Sequence, residues 1–150
     1  MKKLLICMFA LATFAMVACG DQEDETPDYA AKFVGTYDVT VNAVLNIPMY
    51  GEVEIPMNDM EAVVARKATA NEVTMTAMNQ TLNGYCNESG LHLDPFAVNS
   101  DIMGISMSIT VTIPTVAAPT SSTITGTAAL AATVMGASVT GNANYTAVKR

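Results

Sequence analysis

The chain has 150 residues, is 51% hydrophobic, carries 7 basic against 14 acidic side chains, and contains one histidine and no tryptophan. So acidic a chain lacks the basic footprint of a nucleic-acid binder. With Cys7 and Cys19 both inside or beside an N-terminal apolar run, Cys86 stands alone, so no disulfide framework is available and the fold must rest on packing.

Lys2 and Lys3 open the chain, an apolar run follows from Leu4 to Val17, and Ala18 and Cys19 end it. A basic start, a short apolar stretch and small residues at its end are the parts of a secretory signal. A membrane-spanning helix is the alternative. At about 1.5 Å per residue, however, the run reaches only about 21 Å, against a hydrocarbon core of about 30 Å. Asp21, Glu23, Asp24, Glu25 and Asp28 come next in a stretch that cannot bury apolar surface. Such a segment stays solvated. The expected division is therefore a signal at 1–18, a tether at 19–32 and one domain at 33–150, long enough for its own core.

From Gly35 onward apolar and polar residues alternate with period two, the pattern of half-buried strands. Tyr37, Val39, Val41, Ala43 and Leu45 share one face of a first strand, while Asp38, Thr40 and Asn42 share the other. A turn at Pro48, Tyr50 and Gly51 leads to a second, where Val53, Ile55 and Met57 oppose Glu52 and Glu54. Pro56 has no amide hydrogen for a ladder, which puts this strand at an edge or a bulge. A third strand is expected near Met60 to Ala68 and a fourth near Glu72 to Met78. The turn pairs Asn83-Gly84 and Ser89-Gly90 precede an irregular fifth around Leu91 to Val98. Ile105, Met107, Ile109, Val111 and Ile113 alternate with Ser106, Ser108, Thr110 and Thr112 in the sixth. Past Pro119, Ile124, Gly126, Ala128, Leu130, Ala132 and Val134 share a face. Gly136 turns the chain, and Val139, Gly141, Ala143, Tyr145 and Ala147 line the last strand.

About eight strands with short turns predict an all-β, antiparallel fold with one solvated face. Eight strands can close into a barrel and remove their exposed edges. A β-sandwich is the alternative, without the Cys–Trp–Cys pattern of immunoglobulin domains.

Side chains that carry chemistry are sparse. His92 and Asp94 would share a strand face, but no serine sits in a Gly-x-Ser-x-Gly elbow. No catalytic constellation is expected. Glu52, Glu54, Asp59 and Glu61 flank a turn without the Asp-x-Asp-x-Asp-Gly order of a calcium loop. They read as a solvated rim, and no metal or cofactor is expected. Cys86 reads as a small buried filler more than as a nucleophile. Gly126, Ala128, Ala132, Gly141 and Ala143 leave interior volume that something must occupy. Met57, Met75 and Met107 can plug that volume or line an adaptable pocket. For an open barrel the expected ligand-binding residues are Tyr37, Met75, Met107 and Tyr145, over a floor of Gly126, Ala128, Gly141 and Ala143.

Four stretches resemble known families. Met16-Val17-Ala18-Cys19 resembles the lipobox of bacterial lipoproteins. The resemblance implies cleavage after Ala18, diacylation of the Cys19 thiol and acylation of its new amino group. Each buried methylene contributes about 0.8 kcal/mol, so several chains anchor a protein almost irreversibly. The acidic cluster behind Cys19 resembles the surface-export signal of Bacteroidota lipoproteins, a spacer standing off an anionic membrane being the alternative. Gly35-Thr36-Tyr37 stands where lipocalins carry Gly-x-Trp. The closing stretch TGTAALAATVMGASVTGNANYTAVKR resembles the last hairpin of the lipocalin-like, or calycin-like, β-barrel domains of Bacteroidota lipoproteins. That likeness spans roughly residues 33–150 and implies a barrel and a small-ligand cavity, with no chemistry assigned. The expectation is an outer-membrane lipoprotein, anchored through Cys19 and displayed on the cell surface. Its barrel would hold a small apolar or glycan-like ligand. Filled, it would be a non-catalytic structural module contacting an envelope protein.

Overall fold

A computed structural model describes residues 26–102 and 104–150. The apolar run, Cys19 and the acids Asp21, Glu23, Asp24 and Glu25 lie outside the described residues. A short 3-10 turn, Ala30–Lys32, precedes nine antiparallel strands in a single sheet. They are β1 (Gly35–Ile47), β2 (Gly51–Arg66), β3 (Glu72–Ala77), β4 (Gln80–Asn87), β5 (Gly90–Leu93), β6 (Phe96–Ile102), β7 (Ile105–Thr112), β8 (Thr123–Val134) and β9 (Ala137–Lys149). Their order is β5-β4-β3-β2-β1-β9-β8-β7-β6, one continuous sheet and not the two of a sandwich.

Strand order and chain order together impose the curl. β5 and β6 lie at opposite ends of the sheet, yet only Asp94 and Pro95 separate them in the chain. Because every neighbouring pair is antiparallel, β5 and β6 run in the same direction. They are two halves of one interrupted strand, the first laddered to β4 and the second to β7. Pro95, which has no amide hydrogen, marks the handover. The result is a half-barrel, and counting β5 with β6 as one gives eight strand paths among the described residues, the expected number but not the expected set. The expected removal of every edge does not follow. Between β4 and β6 there is no ladder, and the two sides are tied by Gln80 Nε2 donating to Ala97 O at 3.0 Å. At one end a Leu91–Val116 bridge adds a second tie.

Two local expectations are corrected. The second and third strands are one, β2, 16 residues long. Opposite Thr40 of β1 stand both Asn58 and Asp59, and Asp59 has a left-handed φ of 58°. This bulge shifts the alternation without turning the chain. Upstream of it β2 is an edge, since its ladder to β3 begins only at Ala62, and Pro56 falls in that edge. Asn83-Gly84 is not a turn but lies inside β4. Leu82 and Cys86 must both face inward there, and a Cβ at Gly84 would stand 2.5 Å from His92 O, so the glycine serves close strand approach. The β3–β4 turn is instead Met78-Asn79, both left-handed.

The inward faces gather into two packed ends. One holds Leu45, Ile47, Ile102, Met107, Val134 and Val139. The other holds Ala30, Phe33, Val73, Cys86, Leu91 and Val116. The second end is plugged by the 3-10 turn, whose approach is held by Asn71. Its Oδ1 accepts from the amides of Tyr29 (2.8 Å) and Ala30 (3.2 Å), and its Nδ2 donates to Pro27 O at 2.8 Å. Asp28 pairs with Arg66 at 2.5 Å. Among the described residues, Pro27 to Phe33 are thus docked on this end of the sheet.

Candidate functional site: an apolar cavity between the packed ends

Between these ends the strands enclose a cavity of about 200 Å³. Nearly every strand contributes. Val39, Val41 and Ala43 come from β1, Ile55, Met57 and Met60 from β2, and Met75 and Ala77 from β3. Leu93 and Phe96 face it across the β5–β6 break, Ile109 and Val111 come from β7, and Tyr145 and Ala147 from β9. The alternation that makes the strands also makes this lining apolar, because each strand gives the cavity only its inward set.

Its floor is narrower than the sequence suggests. Ala43, Ala143 and Ala128 stand in one register row across β1, β9 and β8, and all three line the cavity. The two glycines expected beside them do not. A Cβ at Gly126 would lie 2.5 Å from Tyr145 Cζ, and one at Gly141 would lie 2.9 Å from Leu45 Cδ2. At Gly126 the space is taken by the Tyr145 ring, and at Gly141 first by the backbone oxygen of Val44 on β1 and then by Leu45.

Four residues were expected to meet a ligand, and three of them share the lining: Tyr37, Met75 and Tyr145. Met107 is buried in the first packed end and is not on the cavity wall. Its strand phase is inward, but its level along β7 is that of the first packed end. The two tyrosines differ. Tyr37 Oη donates to Phe33 O at 2.7 Å, which fixes the plug to β1. Tyr145 Oη makes no hydrogen bond among the described residues, and since no buried side-chain oxygen there is left unpaired, it keeps accessible surface. Burial pushes both phenols above their usual pKa.

The cavity meets the surface where the sheet lacks a ladder. The β3–β4 hairpin stops at Met78-Asn79, so among the described residues the outer edge of residues 51–59 has no partner and β6 pairs only with β7. Ile55, Met57, Met78 and Gln80 on one side and Val98 and Ser100 on the other belong to the lining. Sequence periodicity did not mark β6 residues for the site, because the break at Asp94-Pro95 disrupts the alternation. A second depression, of about 550 Å³, lies on the outer face among Asn46, Glu52, Thr140 and Asn142. It is an open groove between solvated side chains.

His92 and Asp94 do not pair. His92 stacks on Tyr85 at 4.6 Å between ring centroids, and its Nε2 lies 3.1 Å from Ser89 Oγ and 3.2 Å from Asn87 Oδ1. Its Nδ1 meets Thr115 Oγ1 at 3.1 Å. Asn87 Oδ1 also accepts from Ser89 and Gly90 amides, so the group staples the β4–β5 turn. Of the acids, Glu61 is held by Arg150 Nη1 at 2.5 Å, and no grouping of three metal-ligating side chains occurs among the described residues. Cys86 is buried, and desolvation raises its thiol pKa. No helix among the described residues is long and apolar enough to cross a membrane. No protein-family model, curated protein or solved structure matches the chain.

Proposed function

We propose that the domain is a non-catalytic binding module that takes a small apolar molecule into its half-barrel, held at the outer membrane through a lipid on Cys19. The observation that carries this reading is the apolar cavity of about 200 Å³ left between two well-packed ends. Interiors normally close such space. A cavity of about 150 Å³ holds one benzene, so this one suits a ligand of about eight non-hydrogen atoms. The lining favours an apolar ligand over a glycan, since a sugar would leave its hydroxyls unpaired against Val, Ile, Met and Ala.

The test is toluene binding, read from 13C-methyl resonances of Met57 and Met75. Toluene should shift both in the native protein. It should shift neither in Ala128→Leu/Ala143→Leu, which fills the floor from two directly paired positions. No shift in the native protein, or an equal shift in the filled variant, overturns the proposal.

A second reading has its own support. Met49 is 100% exposed and Met135 91% exposed, at the tips of the β1–β2 and β8–β9 hairpins, which are neighbours because β1 pairs with β9. Exposed apolar tips suit a module that contacts another envelope protein.

A further inference from the structure

The geometry points to Tyr145 as the polar anchor of the cavity, which selects a neutral ligand with one hydrogen-bonding oxygen, a ketone or an alcohol, over a hydrocarbon or a carboxylate. The inference rests on the cavity being a ligand site and adds to it the class of ligand.

The lining offers little polarity, and most of it is already engaged. Tyr37 Oη is committed to Phe33 O, Gln80 Nε2 to Ala97 O, and Glu61 to Arg150. Ser100 lies on β6 at the unladdered side, where the cavity meets the surface. Tyr145 is different. It sits on β9, in the interior of the strand order, with its ring laid over Gly126 and its hydroxyl without a protein partner among the described residues. No buried side-chain oxygen is left unpaired among the described residues, so the Tyr145 hydroxyl keeps accessible surface and is free to donate to an oxygen atom entering the cavity its residue lines. Sparse, fixed polar groups in an apolar pocket are what set ligand orientation. Because burial holds the phenol protonated well past neutral pH, it is available as a donor.

Charge narrows the class further. Among the described residues the cavity lining contains no Lys, Arg or His, and its one charged residue is the acid Glu61. A carboxylate entering would lose its hydration with no cation to meet it. A ketone or alcohol loses far less and recovers a bond from Tyr145.

Three probes of similar shape separate these classes: ethylbenzene, acetophenone and benzoate, each titrated while the Met57 and Met75 methyl resonances are followed. Ethylbenzene and acetophenone should bind, and benzoate should not. Tyr145→Phe should weaken acetophenone by roughly three- to tenfold, the range of one neutral hydrogen bond, and leave ethylbenzene unchanged. In the native protein the Tyr145 13Cζ resonance should move with acetophenone and stay in place with ethylbenzene, a readout that needs no variant. Equal affinities of both proteins for acetophenone, or an unmoved 13Cζ, overturn the assignment of Tyr145 while leaving an apolar binding site standing. Benzoate binding overturns the preference for neutral ligands. Absence of any methyl shift with all three probes overturns the binding module itself.

Discussion

Tyr145 and Gly126 are register partners across the β9–β8 ladder, and the tyrosine ring fills the space that a side chain at position 126 would need. The glycine is required by its neighbour, not by a turn. Gly126→Ala should therefore cost about 1–3 kcal/mol, as overpacking in a closed site does, or drive the ring into the cavity. Urea unfolding measures the first outcome and the Tyr145 ring resonances the second. An alanine variant as stable as the parent, with an unmoved ring, would refute the packing.

The two cavity tyrosines make opposite predictions. Tyr37→Phe removes a buried bond to Phe33 O and should lose about 1 kcal/mol. Tyr145→Phe removes a hydroxyl with no partner and should be neutral or slightly stabilising. Unfolding midpoints of both variants, taken at one pH, decide it. An equal loss in each would mean that the Tyr145 hydroxyl is bonded in solution.

Much of this site was legible in the sequence, and the reasons for the remainder are local. Strict alternation placed Tyr37, Ala43, Ala128, Ala143 and Tyr145 on the inner face, because a pleated strand fixes side-chain direction through a period of two. It could not fix depth along the strand, so Met107 shared the phase of the cavity residues while lying in the first packed end. It also failed where the period slips, at the Asn58-Asp59 bulge and at the Asp94-Pro95 break. Both breaks lie beside the unladdered side of the cavity. Gly126 and Gly141 read as empty volume in one dimension, while in three dimensions the Tyr145 ring occupies the first and the close backbone of Val44 and Leu45 the second.

Met135 sits in a two-residue β8–β9 turn with a φ of 50°, followed by Gly136 at 81°. Mirror-image hairpin turns of this kind favour Asn-Gly, and a bulky residue at such a φ is strained. With 91% exposure, Met135 recovers nothing by packing. Met135→Asn should raise stability by about 0.5–1 kcal/mol, seen as a higher thermal midpoint. A lower midpoint would show that the methionine has contacts in the folded protein.

Asp28 and Asp38 have carboxyl pKa values held below the usual range, by hydrogen bonds from Arg66 and Arg150 respectively. A depressed folded-state pKa gives stabilisation that is complete above the unfolded value and is lost as pH falls through the folded one. Their contribution should thus persist through neutral and mildly acid pH and disappear only below the ordinary carboxylate range. In Arg150→Ala, 13C titration should show the Asp38 carboxyl moving up while Asp28 stays in place. Movement of both would mean the two ends of the chain are electrostatically coupled.

The register of β7 gives the sharpest test of the architecture. Ile109 is 6% exposed and touches both the first packed end and the cavity, while its neighbour Thr110 is exposed on the outer face. A slip of one residue would exchange the two sets entirely. The ladder forbids it: Ile109 faces Val98 of β6 and Ala132 of β8, so three strands share one inward row. Ile109→Asp would bury an unpaired carboxylate in that row and should cost about 3 kcal/mol or more. Thr110→Asp should stay within about 0.5 kcal/mol of the parent, as solvated substitutions do. Chemical denaturation of both variants reads the difference directly. Because Ile109 also lines the cavity, a carboxylate there should abolish toluene binding even under conditions where the variant remains folded, whereas Thr110→Asp should bind it normally. Similar stability losses in the two variants would overturn the register, and toluene uptake by folded Ile109→Asp would show that this wall does not face the ligand.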